Sequence, residues 1–411
     1  MRRLLWAALL LSPLATAGSI PTPEYATRRA ALRKDLQGTV VLFGRREGND
    51  DPYAFIQEPN FYYLTGWTEP GAILLITPNQ DTLFLPHHNE RGEKFTGPRP
   101  SAEDHNVQSL TGFDRVLPVE KFEAALDQAL DAAEPVYALP NQPETTRLKD
   151  RYPFRAFADP SSMIAKLRVK KSAAEIAAVQ HSTDVTVQGH LAAWKRMSSG
   201  LYEYQIAATV SNVYLENGCE RHAYDPIVGS GPNSTVLHYS SNKRRMDTGE
   251  IVVMDTAAEC SEYASDVTRT IPVSGKFTAR EREIYEVVLG AQKAAIAAVK
   301  PGARMGGDEN SLTKIVKDYM DAHGKDLHGQ PLGKYFIHGL GHPVGIQVHD
   351  VGVPGPLEAG MIVTIEPGIY IPEENIGVRI EDVVLVTETG SRVLSAALPK
   401  EPDEIEKAMA R

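Results

Sequence analysis

Ile251-Val-Val-Met-Asp255 is an apolar run closed by a carboxylate, and Asp266-Val-Thr-Arg-Thr-Ile271 opens on another 11 residues later. The first run reads as a buried strand and the second alternates like the return strand of a hairpin. The two acids can therefore face each other across neighbouring strands. Downstream, Met361-Ile-Val-Thr-Ile-Glu366-Pro-Gly368 sets a third carboxylate at the end of a very apolar strand. Val378-Arg-Ile-Glu381-Asp-Val-Val-Leu-Val386 sets a fourth within another. Charge inside such strands is expensive unless it is paired or bound to a cation. A salt bridge from Arg379 to Glu366 or Glu381 would account for one acid, not four.

Between these strands lies Ile337-His338-Gly-Leu-Gly-His342-Pro-Val-Gly-Ile346, with His349 and Asp350 soon after. Its glycines predict tight turns and close backbone approach. Gly339, Gly341 and Gly345 are spaced wrongly for a dinucleotide fingerprint, and no helix is expected to follow. If Asp255, Asp266, Glu366 and Glu381 converge, their formal charge of −4 is balanced by two divalent cations; without cations, several acids must stay protonated. Oxygen-rich ligands with one imidazole favour Mn²⁺, with Zn²⁺ or Co²⁺ as alternatives. Two such ions roughly 3.5–4 Å apart suit amide hydrolysis.

The surrounding chain is organised to hold such a cleft. Ser172-Ala-Ala-Glu175 and Thr278-Ala-Arg-Glu281 are capping boxes, each opening a long helix. Each is followed by a second helix, stopping at Gly218 and Gly324 respectively. The two caps and the two stops share one offset of 106 residues. Two equivalent helix–helix–sheet halves imply a pseudo-twofold core with a central cleft. Upstream, Gly38–Phe43, Ala72–Ile76 and Asp81–Leu85 read as strands, the last two joined by the turn Pro78-Asn79-Gln80. Val119–Ala132 has helical spacing, and Pro140, Pro143, Pro153 and Pro160 mark a linker. Residues 18–158 are thus expected to form an α/β domain and residues 159–411 the domain that carries the acids.

Arg2-Arg3, the apolar run Leu4–Leu11 and the ending Ala15-x-Ala17 read as a secretory signal peptide over residues 1–17, cleaved near Ala17. Its apolar run is too short for a membrane span of about 20 residues, and export to a periplasm or the exterior is expected. Cys219 and Cys260, the only two cysteines, can pair there or stay free as small buried hydrophobes. Over all 411 residues, 53 acidic against 43 basic side chains give a net charge of −10, which argues against a nucleic-acid partner. H-E-x-x-H, the phosphate loop and a G-x-S-x-G elbow in suitable context are absent, which removes zincins of that type, nucleotide hydrolases and elbow serine hydrolases.

The ordered set Asp255, Asp266, His342, Glu366 and Glu381 resembles the ligand set of the pita-bread metallopeptidases, a family that includes Xaa-Pro aminopeptidase (aminopeptidase P), prolidase, methionine aminopeptidase and creatinase, the last of which lacks the metal ligands present here. The resemblance covers roughly residues 160–400. Asn60-Phe-Tyr-Tyr-Leu-Thr-Gly-Trp-Thr-Glu-Pro-Gly71 resembles a segment of aminopeptidase P and prolidase, and Arg91-Gly-Glu-Lys-Phe-Thr-Gly-Pro-Arg99 looks closer to aminopeptidase P. The resemblance implies an α/β creatinase-like N-terminal domain before an α+β pita-bread domain with pseudo-twofold symmetry. By it, Asp255 would bind one metal, His342 and Glu366 the other, and Asp266 and Glu381 would bridge.

A metal-bridging hydroxide would then attack the carbonyl preceding a proline in second position, with Glu366 shuttling the proton. His238 and His349 would steady the tetrahedral intermediate, His338 would help line the proline pocket, Arg379 would orient carboxylates and Tyr370 would close the site. A homodimer or homotetramer is implied by the same resemblance. Prolidase, which takes only dipeptides, is the nearest alternative activity; a non-catalytic peptide-binding scaffold is a further one.

Overall fold

A computed structural model of the chain describes residues 19–47, 55–130, 134–307 and 309–410. The expected signal peptide therefore lies outside the described residues. Six strands form the N-terminal sheet, in the order Val116–Pro118, Asp81–Leu85, Ile73–Ile76, Thr39–Phe43, Val136–Tyr137, Phe157–Ala158. Its centre is antiparallel: Ile73–Ile76 pairs with Thr39–Phe43 on one side and Asp81–Leu85 on the other. Side chains alternate faces along a strand. Val40 and Leu42 accordingly join the main core with Leu74 and Ile76, while Val41 and Phe43 join a second core with Ile73 and Leu75.

The proline-marked stretch is not a bare linker. Pro143 opens a helix, Pro143–Arg151, where a missing N–H costs nothing because the first turn leaves it unbonded anyway. Phe157–Ala158 then extends the sheet. The helix expected over Val119–Ala132 starts as a 3₁₀ turn and runs as Phe122–Ala129, the end of the expected span falling outside the described residues.

Both capping boxes form. Ser172 Oγ accepts from the Glu175 N–H while Glu175 accepts from the Ser172 N–H, and Thr278 with Glu281 repeats the exchange. They open the helices Ala173–Arg196 and Ala279–Ala298, each packed against a shorter partner, Glu203–Glu216 and Leu312–His323. The stops differ: Gly218 takes the left-handed conformation with φ +76°, whereas Gly324 is extended. Against the helices lie the sheets Ile227–Ser230/Ile251–Asp255/Thr268–Pro272 and Ile362–Ile365/Asp382–Val386/Ser391–Val393, and the two-stranded ribbon Gly368–Ile371/Ile376–Arg379.

The run from Asp255 to Asp266 contains more than a turn. A small hairpin, Ala258–Cys260 with Tyr263–Ala264, projects between the two acids, and Ser182 Oγ donates to the Tyr263 carbonyl at 2.7 Å to hold it on the long helix. Cys260 in this hairpin is disulfide-bonded to Cys219, closing a loop with a sequence separation of 41. A loop of that length restricts the unfolded chain by about 4 kcal/mol. Equilibrium denaturation of the Cys219→Ser, Cys260→Ser double variant is expected to show a stability loss of that order.

Candidate metal centre

Two of the expected acids sit where an apolar strand ends and two between strands, and all four carboxylates emerge into one cavity. Asp255 closes Ile251–Asp255, and Glu366 follows Ile362–Ile365 directly. Glu381 is not inside a strand: it occupies the break between Ile376–Arg379 and Asp382–Val386, where its N–H donates to the Thr268 carbonyl at 3.0 Å. Asp266 does not stand opposite Asp255 either, because the register pairs Asp255 with Thr268. Tyr224 makes the connection instead. Its hydroxyl bonds Asp255 Oδ1 and, at 2.6 Å, Asp266 Oδ1.

His342 comes in from the glycine-rich segment. Gly341 packs so closely that a Cβ would lie 2.0 Å from the Thr364 carbonyl oxygen, which explains why only glycine fits there. The His342 N–H donates to Thr364 Oγ1 at 3.1 Å, and that hydroxyl donates to Glu366 Oε1 at 3.2 Å. His342 Nε2 lies 3.3 Å from Asp266 and 3.5 Å from Glu366. Ligand atoms of Asp266, His342 and Glu381 all fall within 4.8 Å of one another. Glu366 adjoins this trio through His342, and Asp255 through Tyr224. The cavity measures about 470 Å³, and His238, His338, His349 and Arg379 line it together with all five.

Arg379 pairs with neither Glu. Its Nη2 lies 2.5 Å from Asp255 Oδ2, and its Nε donates to Thr268 Oγ1, whose hydroxyl donates in turn to Glu381 at 2.7 Å. Tyr370 does not reach the cavity wall. It is 3% exposed, accepting from Arg379 Nη1 at 3.0 Å and bonding His338 Nε2 at 2.9 Å, so it braces the site from beneath rather than closing it. Since His338 Nδ1 contacts a carbonyl that can only accept, that of Gly339, Nδ1 carries the proton and Nε2 accepts from Tyr370.

The charges behave as a cation site demands. Burial pushes Glu366 up to about 7, helped by Asp266. Burial and the three other acids raise Glu381 far above its ordinary range, and burial raises Asp255 although Arg379 opposes it. His342 goes the other way from a normal buried imidazole: burial disfavours its charge, but the Asp266 hydrogen bond and the neighbouring carboxylates lift it to about 9. Bringing the four acids together thus favours bound positive charge, which divalent cations would supply. Four acids and an imidazole fit hard or borderline ions.

A sequence model described as metallopeptidase family M24 matches residues 177–388, and one of the aminopeptidase P N-terminal domain matches residues 25–137. The chain belongs to metallopeptidase family M24. Among its relatives, an Xaa-Pro aminopeptidase of Haemophilus influenzae is 34% identical, with 96% of this chain and 99% of that one covered. An Xaa-Pro dipeptidase of Pyrococcus horikoshii is 33% identical, over 84% of this chain and 92% of its own. The solved structure of aminopeptidase P from Escherichia coli with the inhibitor Pro-Leu superposes with a TM-score of 0.85 at 30% identity, covering 95% of this chain and 98% of that one. The N-terminal and M24 portions together thus follow the pita-bread architecture of aminopeptidase P.

Tyr224, Thr268 and Thr364 are the members of the M24 site that the sequence did not disclose. Thr268 and Thr364 lie two residues from Asp266 and Glu366 and Tyr224 beside Asp225, but a hydroxyl next to an acid is ordinary in sequence and does not declare its partner. Tyr224→Phe removes a hydroxyl that touches both Asp255 and Asp266 and should weaken metal binding about 10- to 100-fold, read by metal titration. A pH series on chelator-treated protein offers a second check. Glu366 keeps in the folded state a proton that the unfolded chain releases above its ordinary 4.5, and His342 does so above 6.5. Their contribution to stability is therefore whole at low pH and lost as pH rises through about 7 and about 9. The metal-free Tm should fall across that window, while metal affinity rises because fewer protons must be displaced.

Proposed function

We propose that this chain hydrolyses the bond between the first residue and a proline in second position of peptides, with divalent metal held by Asp255, Asp266, His342, Glu366 and Glu381. One observation carries the reading: all five candidate ligands line a single cavity of about 470 Å³, in a chain that matches Xaa-Pro aminopeptidases almost end to end. Divalent ions there would supply Lewis acidity toward the scissile carbonyl and a water activated at neutral pH.

The chain's own groups divide the remaining work. Glu366, whose carboxylate faces the cavity, takes the proton of the attacking water and delivers it to the proline nitrogen as the bond breaks. His238 and His349 line the cavity with no hydrogen bond to their rings among the described residues, so their nitrogens are available to a substrate carbonyl. His338 has both nitrogens committed and a pKa lowered by burial to about 4; it offers a neutral ring edge, suited to an apolar pyrrolidine. Arg379 holds Asp255 in place and opposes the rise that burial imposes on it.

The dipeptidase alternative shares this chemistry but matches less of the chain, and the aminopeptidase P N-terminal domain favours the longer substrate. The oxygen-rich ligand set supports Mn²⁺ as the working ion, with Zn²⁺ or Co²⁺ as substitutes. Export is supported by the Cys219–Cys260 disulfide, a bond that persists in oxidising compartments. Among the described residues no helix is long and apolar enough to cross a membrane. A homodimer or homotetramer is the proposed assembly, to be read by light scattering.

Release of the first residue from Xaa-Pro-Yaa tripeptides in the presence of Mn²⁺ tests the reading. Tripeptides should be cleaved and the matching tripeptides without proline spared; cleavage confined to Xaa-Pro dipeptides would select the alternative. Asp266→Ala should lower kcat/KM by at least roughly a hundredfold, the upper range for losing even an outer partner of a metal ligand.

A further inference from the structure

His342 and His349 stand at the two ends of one short loop, with ring centroids 4.1 Å apart. The loop is closed at its base, where the Asp350 N–H donates to the Pro343 carbonyl at 2.9 Å. Its interior is filled by the Asp350 carboxylate, against which Gly345 packs so tightly that a Cβ would lie 2.2 Å from Oδ2. The Gly345 carbonyl accepts from the Ala264 N–H at 2.8 Å, tying the loop to the hairpin between Asp255 and Asp266.

What holds Asp350 comes from elsewhere in the chain. Arg168, the last residue of the helix Ser161–Arg168, meets Oδ1 at 2.5 Å, and Lys171 meets Oδ2 at 3.0 Å. All three side chains are at most 2% exposed. Arg168 also donates to Gln347 Oε1 at 3.2 Å and, through Nη1, to Asn60 Oδ1 at 2.7 Å. Asn60 belongs to the helix Pro59–Thr65 of the N-terminal region, and its amide donates to Glu58, the cap of that helix. An unbroken chain of hydrogen bonds therefore runs from Glu58 through Asn60 and Arg168 to Asp350, the residue beside His349.

We infer that Asn60, Arg168 and Asp350 are positioning residues, through which the N-terminal region sets the place of the His349 imidazole in the cavity. The inference rests on the peptidase reading for its kinetic consequence, but the geometry it asserts does not. Buried ion pairs add little net stability against their desolvation, and their best-attested use is to fix one arrangement among several. A carboxylate gripped from two sides by fixed cations leaves the loop a single orientation, and small misplacements of a group that meets the reacting centre are costly.

Asn60→Ala is the informative variant, because it removes one hydrogen bond at the far end of the chain and no buried charge. With metal content and Tm unchanged, it should lower kcat/KM on an Xaa-Pro-Yaa peptide roughly three- to thirtyfold. In a His349→Ala background the same substitution should change kcat/KM less than about twofold, since the group it positions is gone. Independently of activity, the His349 ring resonance of histidine-labelled protein, assigned from its loss in His349→Ala, should shift in Asn60→Ala. Equal losses in the two backgrounds, or an unmoved His349 resonance, would overturn the inference. A wild-type protein inactive on every peptide would instead sink the peptidase reading, and the resonance would still decide this one.

Discussion

Four carboxylates converging on one cavity repel each other, and burial removes the water that would screen them. That repulsion is the constraint around which the catalytic region is organised. Each acid needs a backbone too stiff to retreat and a nearby group to take up charge. The apolar strands Ile251–Asp255 and Ile362–Ile365 meet the first need, being fully buried along their lengths up to the acid. Arg379, His342 and the hydroxyls of Tyr224, Thr268 and Thr364 meet the second in the absence of metal. The two classes of group differ in kind: the strands fix position, and the polar partners hold a charge balance that a divalent cation can take over.

This division explains which features could be read from the sequence. A carboxylate at the end of an apolar strand breaks the local pattern, so Asp255, Glu366 and Glu381 stand out against their neighbours. Asp266 was legible as the acid opening an alternating run and His342 from the glycine- and histidine-rich segment that holds it, and the capping boxes at Ser172 and Thr278 from residues and spacing that are the mechanism itself. Local patterns do not state register, however. Asp255 lies opposite Thr268 because a hairpin is folded into the chain between Asp255 and Asp266, and nothing in an alternating run announces such an insertion. Partner choice is equally invisible: Arg379 is two residues from Glu381 yet binds Asp255, from a strand 124 positions away in sequence.

The prolines between residues 140 and 160 were misleading for a physical reason. Proline excludes helix interiors but suits a first turn, so Pro143 is a start signal as readily as a break. The assignment of Tyr370 to a closing role failed differently. Its ring alternates inward along Gly368–Ile371, and a position beneath Arg379 and His338 cannot be told from one above the cavity by periodicity alone.

Two dipeptides show how the site is anchored to the core. Glu381 faces the cavity, and its neighbour Asp382 is fully buried against Arg269 at 2.7 Å, with Lys400 also 2.7 Å away. His349 lines the same cavity, and its neighbour Asp350 is buried against Arg168 and Lys171. Asp382 opens its strand and Asp350 turns into the interior of its loop, so each of these acids is aimed away from the cavity and into the protein. Burial would raise both acids, but their cations hold Asp350 and Asp382 below the usual carboxylate range, as fixed charges. Arg269 grips the Glu381 carbonyl as well, at 2.6 Å. Glu381 and His349 thus each have a charged counterweight one residue along, and the counterweight, unlike the site residue, has no substrate or metal to adapt to. Buried ion pairs of this kind contribute little to stability; what they contribute here is direction, by making the backbone at Glu381 and His349 the least movable part of a cavity whose walls come from distant segments.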